Sequence, residues 1–235
     1  MIRLFTSISL ALLLVSSLHA EKVAEKDALL LNMIQAYGGK TALEQASSYI
    51  QHWRVLRAAD GTEGKETRRV TLPKRLYVDL RYPDKEEIRV LEGTVGIKIF
   101  GKHAKKQVFG PMLDAMKLQL LRVYNPLQLK KVSDRIEMTR EKEGYILKFV
   151  KNGVECDYYV NPKNYHIEKT VGKLKMGPNT MEFVTLYKDF VKQNTVLMPG
   201  TEVKYAGGVN TATNRLIDTE FVRLKKVSKH RYERI

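Results

Sequence analysis

The residue types that most often carry chemistry are sparse and scattered in this chain. His52, His103, His166 and His230 lie far apart, and no close pair has the spacing of a metal site. Cys156 is the single cysteine. A catalytic thiol needs a histidine or a helix terminus beside it, and none is near in sequence. No Gly-x-Ser-x-Gly nucleophile elbow is present. Gly96-Ile97-Lys98-Ile99-Phe100-Gly101-Lys102-His103 approaches a phosphate-binding P-loop. However, His103 stands where the magnesium-ligating hydroxyl belongs, and the residues before it alternate as a strand where a glycine-rich loop is required. Glu86-Glu87 sits beside a strand end and reads as solvated surface. The chain therefore reads as a binding protein with no catalytic residue, metal or cofactor, and not as an enzyme.

Apolar surface is the positive signal. Eight methionines are present, among them Met112, Met116, Met176 and Met181. Methionine adapts to irregular apolar ligands, although any single one equally fills an ordinary core. Trp53, the one tryptophan, fits either a core or a pocket wall. Lys+Arg is 41 against 26 Asp+Glu, a net +15. Such an excess favours anionic partners such as lipid headgroups, acidic proteins or nucleic acid; the alternative is a generally solubilising surface. The basic residues are spread along the chain and not gathered in one arm or helix, which argues against nucleic acid.

Residues 1–20 have the pattern of a secretory signal. Arg3 is the charged start, Ile8 to Val15 is an apolar run broken only by Ser9, and Leu18-His19-Ala20 suits cleavage. The run is too short to span a membrane, and no cysteine follows it for a lipid anchor. The alternative is an uncleaved amphipathic anchor. A mature chain from Glu21, without Arg3, carries +15 − 1 = +14. Export permits disulfides, but one cysteine cannot form one within the chain. The core must hold the fold, and Cys156, on the parity of Tyr158 and Val160, is expected to be a buried small hydrophobe.

The elements that would position a binding surface are mostly strands. Residues 22–37 have an apolar stripe (Val23, Leu30, Ile34, Tyr37) near helical spacing, closed by Gly38-Gly39. From Tyr49 the pattern turns to strand, with apolar residues on both parities, so the inner face is not determined. Asp60-Gly61 signals a hairpin, and Lys65 to Leu72 is the return strand. Arg75 to Tyr82 is the cleanest alternation: Leu76, Val78 and Leu80 on one face, Arg75, Asp79 and Arg81 on the other. Strands follow at Glu87–Leu91 and Thr94–Phe100. From Pro111 the period becomes helical, with Leu113, Met116, Leu120, Val123 and Tyr124 forming a stripe. Pro126 interrupts it, giving a helix over 112–124 and a short turn near 127–131. Strands resume at Arg135–Arg140, Tyr145–Lys151 and Glu155–Val160. Tyr158 to Tyr205 then reads as a meander, with turns at Asn161-Pro162-Lys163-Asn164, Met176-Gly177-Pro178-Asn179 and Pro199-Gly200. The last strand is expected over Arg215 to Val227.

Three stretches carry a resemblance to a known family. They are Ala36-Tyr37-Gly38-Gly39-Lys40-Thr41-Ala42-Leu43, Tyr158-Tyr159-Val160-Asn161-Pro162-Lys163, and Tyr187-Lys188-Asp189-Phe190 with Val196-Leu197-Met198-Pro199. With the order helix, strands, inserted helix, strands, the chain resembles the LolA/LolB-like superfamily of periplasmic outer-membrane lipoprotein-sorting and lipid carrier proteins. Asn161 departs from the family's usual Asp, and Val196-Leu197-Met198 from its usual glycine-containing form. The resemblance covers nearly all of the mature chain and implies one LolA-like domain over 21–235. Its fold would be mainly β with helices (α+β): a strongly curved antiparallel sheet, or incomplete β-barrel, with a helical lid over a hydrophobic cavity. Without the family, the pattern is a plain helix-on-sheet core.

On that resemblance, cavity-lining residues are expected at Trp53, Leu76, Val78, Leu80, Ile97 and Ile99, at Met112, Met116 and Leu120 of the inserted helix, and at Met181 and Phe183. Arg68, Arg69 or Lys98 at the rim would hold an anionic headgroup. A buried methylene is worth about 0.8 kcal/mol, so an acyl chain could supply on the order of 10 kcal/mol before costs. Release would then need a better acceptor or a partner. The implied role is a monomeric periplasmic carrier of a lipid or acylated lipoprotein, loaded by an inner-membrane complex and unloaded to an outer-membrane acceptor. Two alternatives remain. One is a lipid-sensing regulatory module like RseB/MucB, although those carry a second domain. The other is an enzyme acting on lipid.

Overall fold

The computed structural model describes residues 22–100 and 104–222. The expected signal segment, His103, His230 and the end of the expected last strand lie outside the described residues.

Helix α1 (22–36) buries Leu29, Leu30, Met33 and Ile34 along one stripe. It ends where Tyr37 leads into Gly38 at φ 111, and a Cβ on Gly38 would lie 2.1 Å from the Thr195 carbonyl oxygen. Only glycine tolerates both the angle and that approach. α2 (Lys40–Gln45) follows, and then six strands: β1 (Ser48–Arg57), β2 (Glu63–Thr71), β3 (Arg75–Tyr82), β4 (Lys85–Glu92), β5 (Val95–Phe100) and β6 (Ala104–Val108). Helices α3 (Gly110–Arg122) and α4 (Pro126–Lys130) interrupt the strands. Proline at the start of each replaces an amide that a first turn leaves unpaired. Then come β7 (Ile136–Glu141), β8 (Gly144–Lys151), β9 (Val154–Val160), β10 (Ile167–Met176) and β11 (Asn179–Lys188). A short hairpin of β12 (Val191–Gln193) and β13 (Val196–Met198) stands apart, and β14 (Thr201–Ala206) and β15 (Val209–Phe221) return to the main sheet.

Among the described residues thirteen strands form one antiparallel sheet in the order β6-β5-β4-β3-β2-β1-β15-β14-β11-β10-β9-β8-β7. Two meanders, β1–β6 and β7–β11, are thus joined through β14 and β15, with β15 pairing along β1. The outer strands β6 and β7 do not pair, so the sheet stays open. Helix α3 touches β4 and β5 on one side and β9 and β10 on the other. In a flat sheet, β5 and β10 would lie eight strand spacings apart, roughly 38 Å at about 4.8 Å each. A helix is only about 10–12 Å across, so the sheet must bend into a trough around α3.

The alternation in β3 holds: Leu76 and Val78 are buried, Leu80 is half-buried, and Arg75 and Arg81 are exposed. In β1, where the sequence left the face open, Tyr49, Gln51, Trp53 and Val55 point inward. Beyond the expected strands the structure adds β6, whose Ala-Lys-Lys-Gln-Val is polar apart from its ends. It also turns the 196–205 stretch into two elements, with β13 leaving the main sheet.

Candidate functional site

Helix α3 is held against the C-terminal meander. Leu118 sits over Gly172, where a Cβ would approach its Cδ1 to 2.3 Å. The buried Tyr158 hydroxyl donates to the Leu121 carbonyl at 2.8 Å. Cys156, beside it, is fully buried, and burial pushes its thiol up to about 12; it packs as a hydrophobe and is not a reactive thiolate. On the opposite flank of α3, Met116 and Leu113 close over Gly96 of β5. Between the flanks, Ala115, Gln119 and Arg122 follow one another at helical spacing, and they face a cavity of about 280 Å³.

That cavity has one charged wall in a lining that is otherwise largely apolar. Opposite α3 its wall is formed by Glu66 and Arg68 of β2, Glu202 and Lys204 of β14, Arg89 of β4 and Asn214 of β15. Arg68 is the hub. Its Nη1 and Nη2 donate to the two Glu202 oxygens at 2.9 and 3.0 Å, its Nε donates to Glu66 Oε1 at 2.9 Å, and its Nη2 donates to the same Glu66 oxygen. Lys204 Nζ lies 3.5 Å from Glu202 and 3.9 Å from Glu66. Arg68 also lies 5.0 Å above the ring of Trp53, which is fully buried behind it. The clamp reaches from β2 to β14 and so straddles the β1–β15 junction between the two meanders.

Desolvation opposes every charge in this cluster, and pairing outweighs it for all but Lys204. Burial would raise the Glu66 carboxyl, but Lys204 and Arg68 hold it down at about 2. Glu202 is likewise lowered, with Arg68 and Lys204 overcoming the effect of burial. Burial would lower Arg68, yet Glu202 and Glu66 leave it well above its ordinary value. For Lys204 burial wins, and its pKa falls despite Glu66 and Glu202. Glu66, Glu202 and Arg68 are therefore charged at neutral pH.

A second, apolar chamber of about 80 Å³ adjoins the first, the two sharing Arg68, Arg122, Val123, Tyr187 and Glu202. Tyr37, Tyr49, Phe190 and Met198 contribute to its walls. Tyr37 ties the chamber's cover together: its hydroxyl accepts from the Ile167 amide at 3.0 Å, and its carbonyl accepts from the Leu197 amide at 3.2 Å.

Of the residues expected to line a cavity, Leu80 and Phe183 border the larger one. Leu76 and Val78 are buried in the general core, as is Leu120, and Ile97 and Ile99 are half-buried on β5. Met116 is 2% exposed against Gly96, Met181 is half-buried, and Met112 is 45% exposed, facing solvent at the start of α3. Of the residues expected at a rim, Arg68 is interior, 2% exposed, because its carboxylate partners are there. Arg69, on the opposite parity, is exposed and lies over Tyr77. Lys98 pairs with Glu87 at 3.4 Å. Sequence reasoning missed Glu66, Glu202, Lys204, Arg122 and Asn214. The available signal was the small and polar face Ala115, Gln119, Arg122, beside the apolar stripe of α3. Among the described residues no group of three or more His, Cys, Asp or Glu is placed to hold a metal ion.

No family model matches the chain, and no curated protein matches it in sequence. Solved structures do match in fold. A LolA superfamily protein from Nitrosomonas europaea superposes with a TM-score of 0.50 at 10% identity, over 79% of this chain and 94% of its own. A domain named for outer membrane lipoprotein sorting, from Vibrio parahaemolyticus, superposes with a TM-score of 0.53 at 7% identity, over 87% of this chain and 95% of its own. At these identities the likeness is one of fold: the chain is a LolA-like α+β protein, an open curved sheet around an inserted helix.

Proposed function

We propose that the chain is a periplasmic carrier or binding protein that seats a lipid or an acylated protein between α3 and the concave sheet. The observation that carries this reading is the pair of adjoining cavities beside that helix, one with a charged wall and one apolar, in the open sheet of a LolA-like fold. An amphiphile matches such a pair: a polar group on the charged floor, and a chain directed to the apolar side. At about 80 Å³ the apolar chamber is smaller than the ~150 Å³ cavity that accepts benzene. An acyl chain therefore enters only when its cover, the end of α1 with α2 and the β12–β13 hairpin, shifts outward. Leu80 and Phe183 supply apolar contact in the cavity with the charged wall. Export through residues 1–20, action as a monomer, loading at the inner membrane and delivery to an outer-membrane acceptor complete the reading.

Delipidated protein titrated with a fluorescent fatty acid tests it. The expected result is saturable binding, with the cargo recovered chemically unchanged by mass spectrometry. If no fatty acid, phospholipid or acylated peptide binds saturably, the carrier role falls. A cleaved product would instead point to an enzyme.

A further inference from the structure

Buried polar atoms are nearly always hydrogen-bonded, and each exception calls for a partner that completes it. Eight buried side-chain nitrogen or oxygen atoms among the described residues have no partner, and six of them belong to residues lining the 280 Å³ cavity. They are Arg89 Nε, Gln119 Oε1, Arg122 Nε, Thr185 Oγ1, and both Nδ2 and Oδ1 of Asn214. Asn214 is 0% exposed and Thr185 2%. They come from four strands or helices (β4, α3, β11 and β15) and converge on one space. A seventh unpartnered atom, Trp53 Nε1, lies just behind Arg68.

The charges in that space are unequal. Three guanidiniums, Arg68, Arg89 and Arg122, and the Lys204 amine line it with two carboxylates, Glu66 and Glu202. Arg68 makes four hydrogen bonds to the two carboxylates. Arg122 has no carboxylate partner among the described residues: its Nη2 donates to the Phe183 carbonyl at 2.7 Å and its Nε is free. Arg89 Nε lies 3.2 Å from Glu87 but without hydrogen-bond geometry. The unmet demand is thus for an anion that accepts from guanidinium and amide N–H groups, and that also offers hydroxyls to Asn214 Oδ1, Gln119 Oε1 and Thr185 Oγ1.

We infer that this cavity is a binding site for an anionic, hydroxyl-bearing phosphoester group, held by Arg122, Arg89 and Asn214. The group can be the head of a lipid or a free phosphoester. The lipid case rests on the carrier reading; the site itself does not. A cavity of about 280 Å³ is at the lower bound of ~300 Å³ for small-molecule pockets, which suits a glycerophosphate-sized group and excludes a bulky one. Water alone is the competing occupant, at about 30 Å³ per molecule.

The test is calorimetric titration of delipidated protein with sn-glycerol 3-phosphate, with a short-chain phosphatidylglycerol, and with the neutral diacylglycerol of the same chain length. Saturable binding of either phosphorylated probe, weakened tenfold or more in Arg122→Gln and in Asn214→Leu, is the expected result. Binding of glycerol phosphate assigns a free phosphoester as sufficient; binding of phosphatidylglycerol alone assigns the lipid head. Asn214→Leu keeps the experiment decisive if Arg122→Gln fails to fold, since it replaces unpartnered polar atoms by an apolar group of similar size. Affinities unchanged in both folded variants, or no binding of either phosphorylated probe, would overturn the inference and leave a hydrated cavity. Neutral diacylglycerol separates the two claims. If it binds while neither phosphorylated probe does, the carrier stands and the headgroup site falls. If glycerol phosphate binds and no acylated probe does, the reverse holds.

Discussion

The two flanks of α3 meet the same sheet and find opposite surfaces. Toward β8, β9 and β10 the inner face is Leu147, Phe149, Val154, Cys156, Tyr158 and Leu174, all buried, with Gly172 opened to admit Leu118. Toward β2, β4 and β5 the inner face carries Glu66, Arg68, Glu87, Arg89 and Lys98, on the parity of Val78 and Leu80 by their cross-strand registers. A helix packed on the first surface is fixed by dispersion and area. The helix seals the second surface only at Gly96, under Leu113 and Met116; where the charges lie it cannot, because they need partners. One side of the trough is therefore core and the other is available to a ligand.

Breaking the clamp should have the largest effect. Arg68→Leu leaves Glu66 and Glu202 buried without their main partner, and loss of one member of a buried pair costs about 3–5 kcal/mol. Urea denaturation should show a loss of that size; a change below about 1 kcal/mol would mean that Lys204 and water suffice. Next, Leu118→Ala on the dry flank should cost about 3 kcal/mol through lost burial and a cavity over Gly172. Equal costs for truncations on both flanks, for instance at Leu118 and Leu80, would dissolve the contrast.

The clamp also sets an acid limit. Glu66 is held at about 2 against an ordinary 4.5, and Glu202 is lowered too. A carboxyl depressed by folding contributes stability that is fully present above its ordinary pKa and is lost as pH falls through the folded value. Stability should therefore decline from about pH 4.5 down to about 2; in Arg68→Leu, where less opposes the upward push of burial on Glu66 and Glu202, that decline should shrink or reverse. A midpoint unchanged over that window would contradict the ionised cluster. The smallest effect is expected at Asn214→Leu. It removes two polar atoms that have no partner, so ligand-free stability should stay within about 0.5 kcal/mol or rise.

Much of the scaffold was legible because apolar alternation reports burial directly. Leu76 and Val78 against Arg75 and Arg81 fixed the face of β3, and the stripe around Met116, Leu120 and Tyr124 located α3. The glycine pair after Tyr37 marked the end of α1 because its backbone demands glycine. The site was hidden for the complementary reason. In β2, Gly64, Glu66 and Arg68 point inward while Lys65, Thr67 and Arg69 point outward, so both parities are polar and alternation is silent. In β14 the pattern is inverted: Glu202 is buried and Val203 only half-buried. Charges that satisfy one another across β2 and β14, more than a hundred residues apart, leave no local trace. The expectation of an apolar lining built on methionine therefore put Met112 in the wall, where the helix in fact turns it outward.

Trp53 allows the central claim, a cargo seated on the charged floor beneath α3, to be measured with no label. It is the one tryptophan, fully buried against Arg68, so its emission reports on the clamp. Titrating delipidated protein with short-chain phosphatidylglycerol should change that emission saturably, and the apparent affinity should drop in Asn214→Leu. Emission that stays constant through the titration while the lipid binds, or that changes identically in the variant, would place the cargo elsewhere and contradict the account.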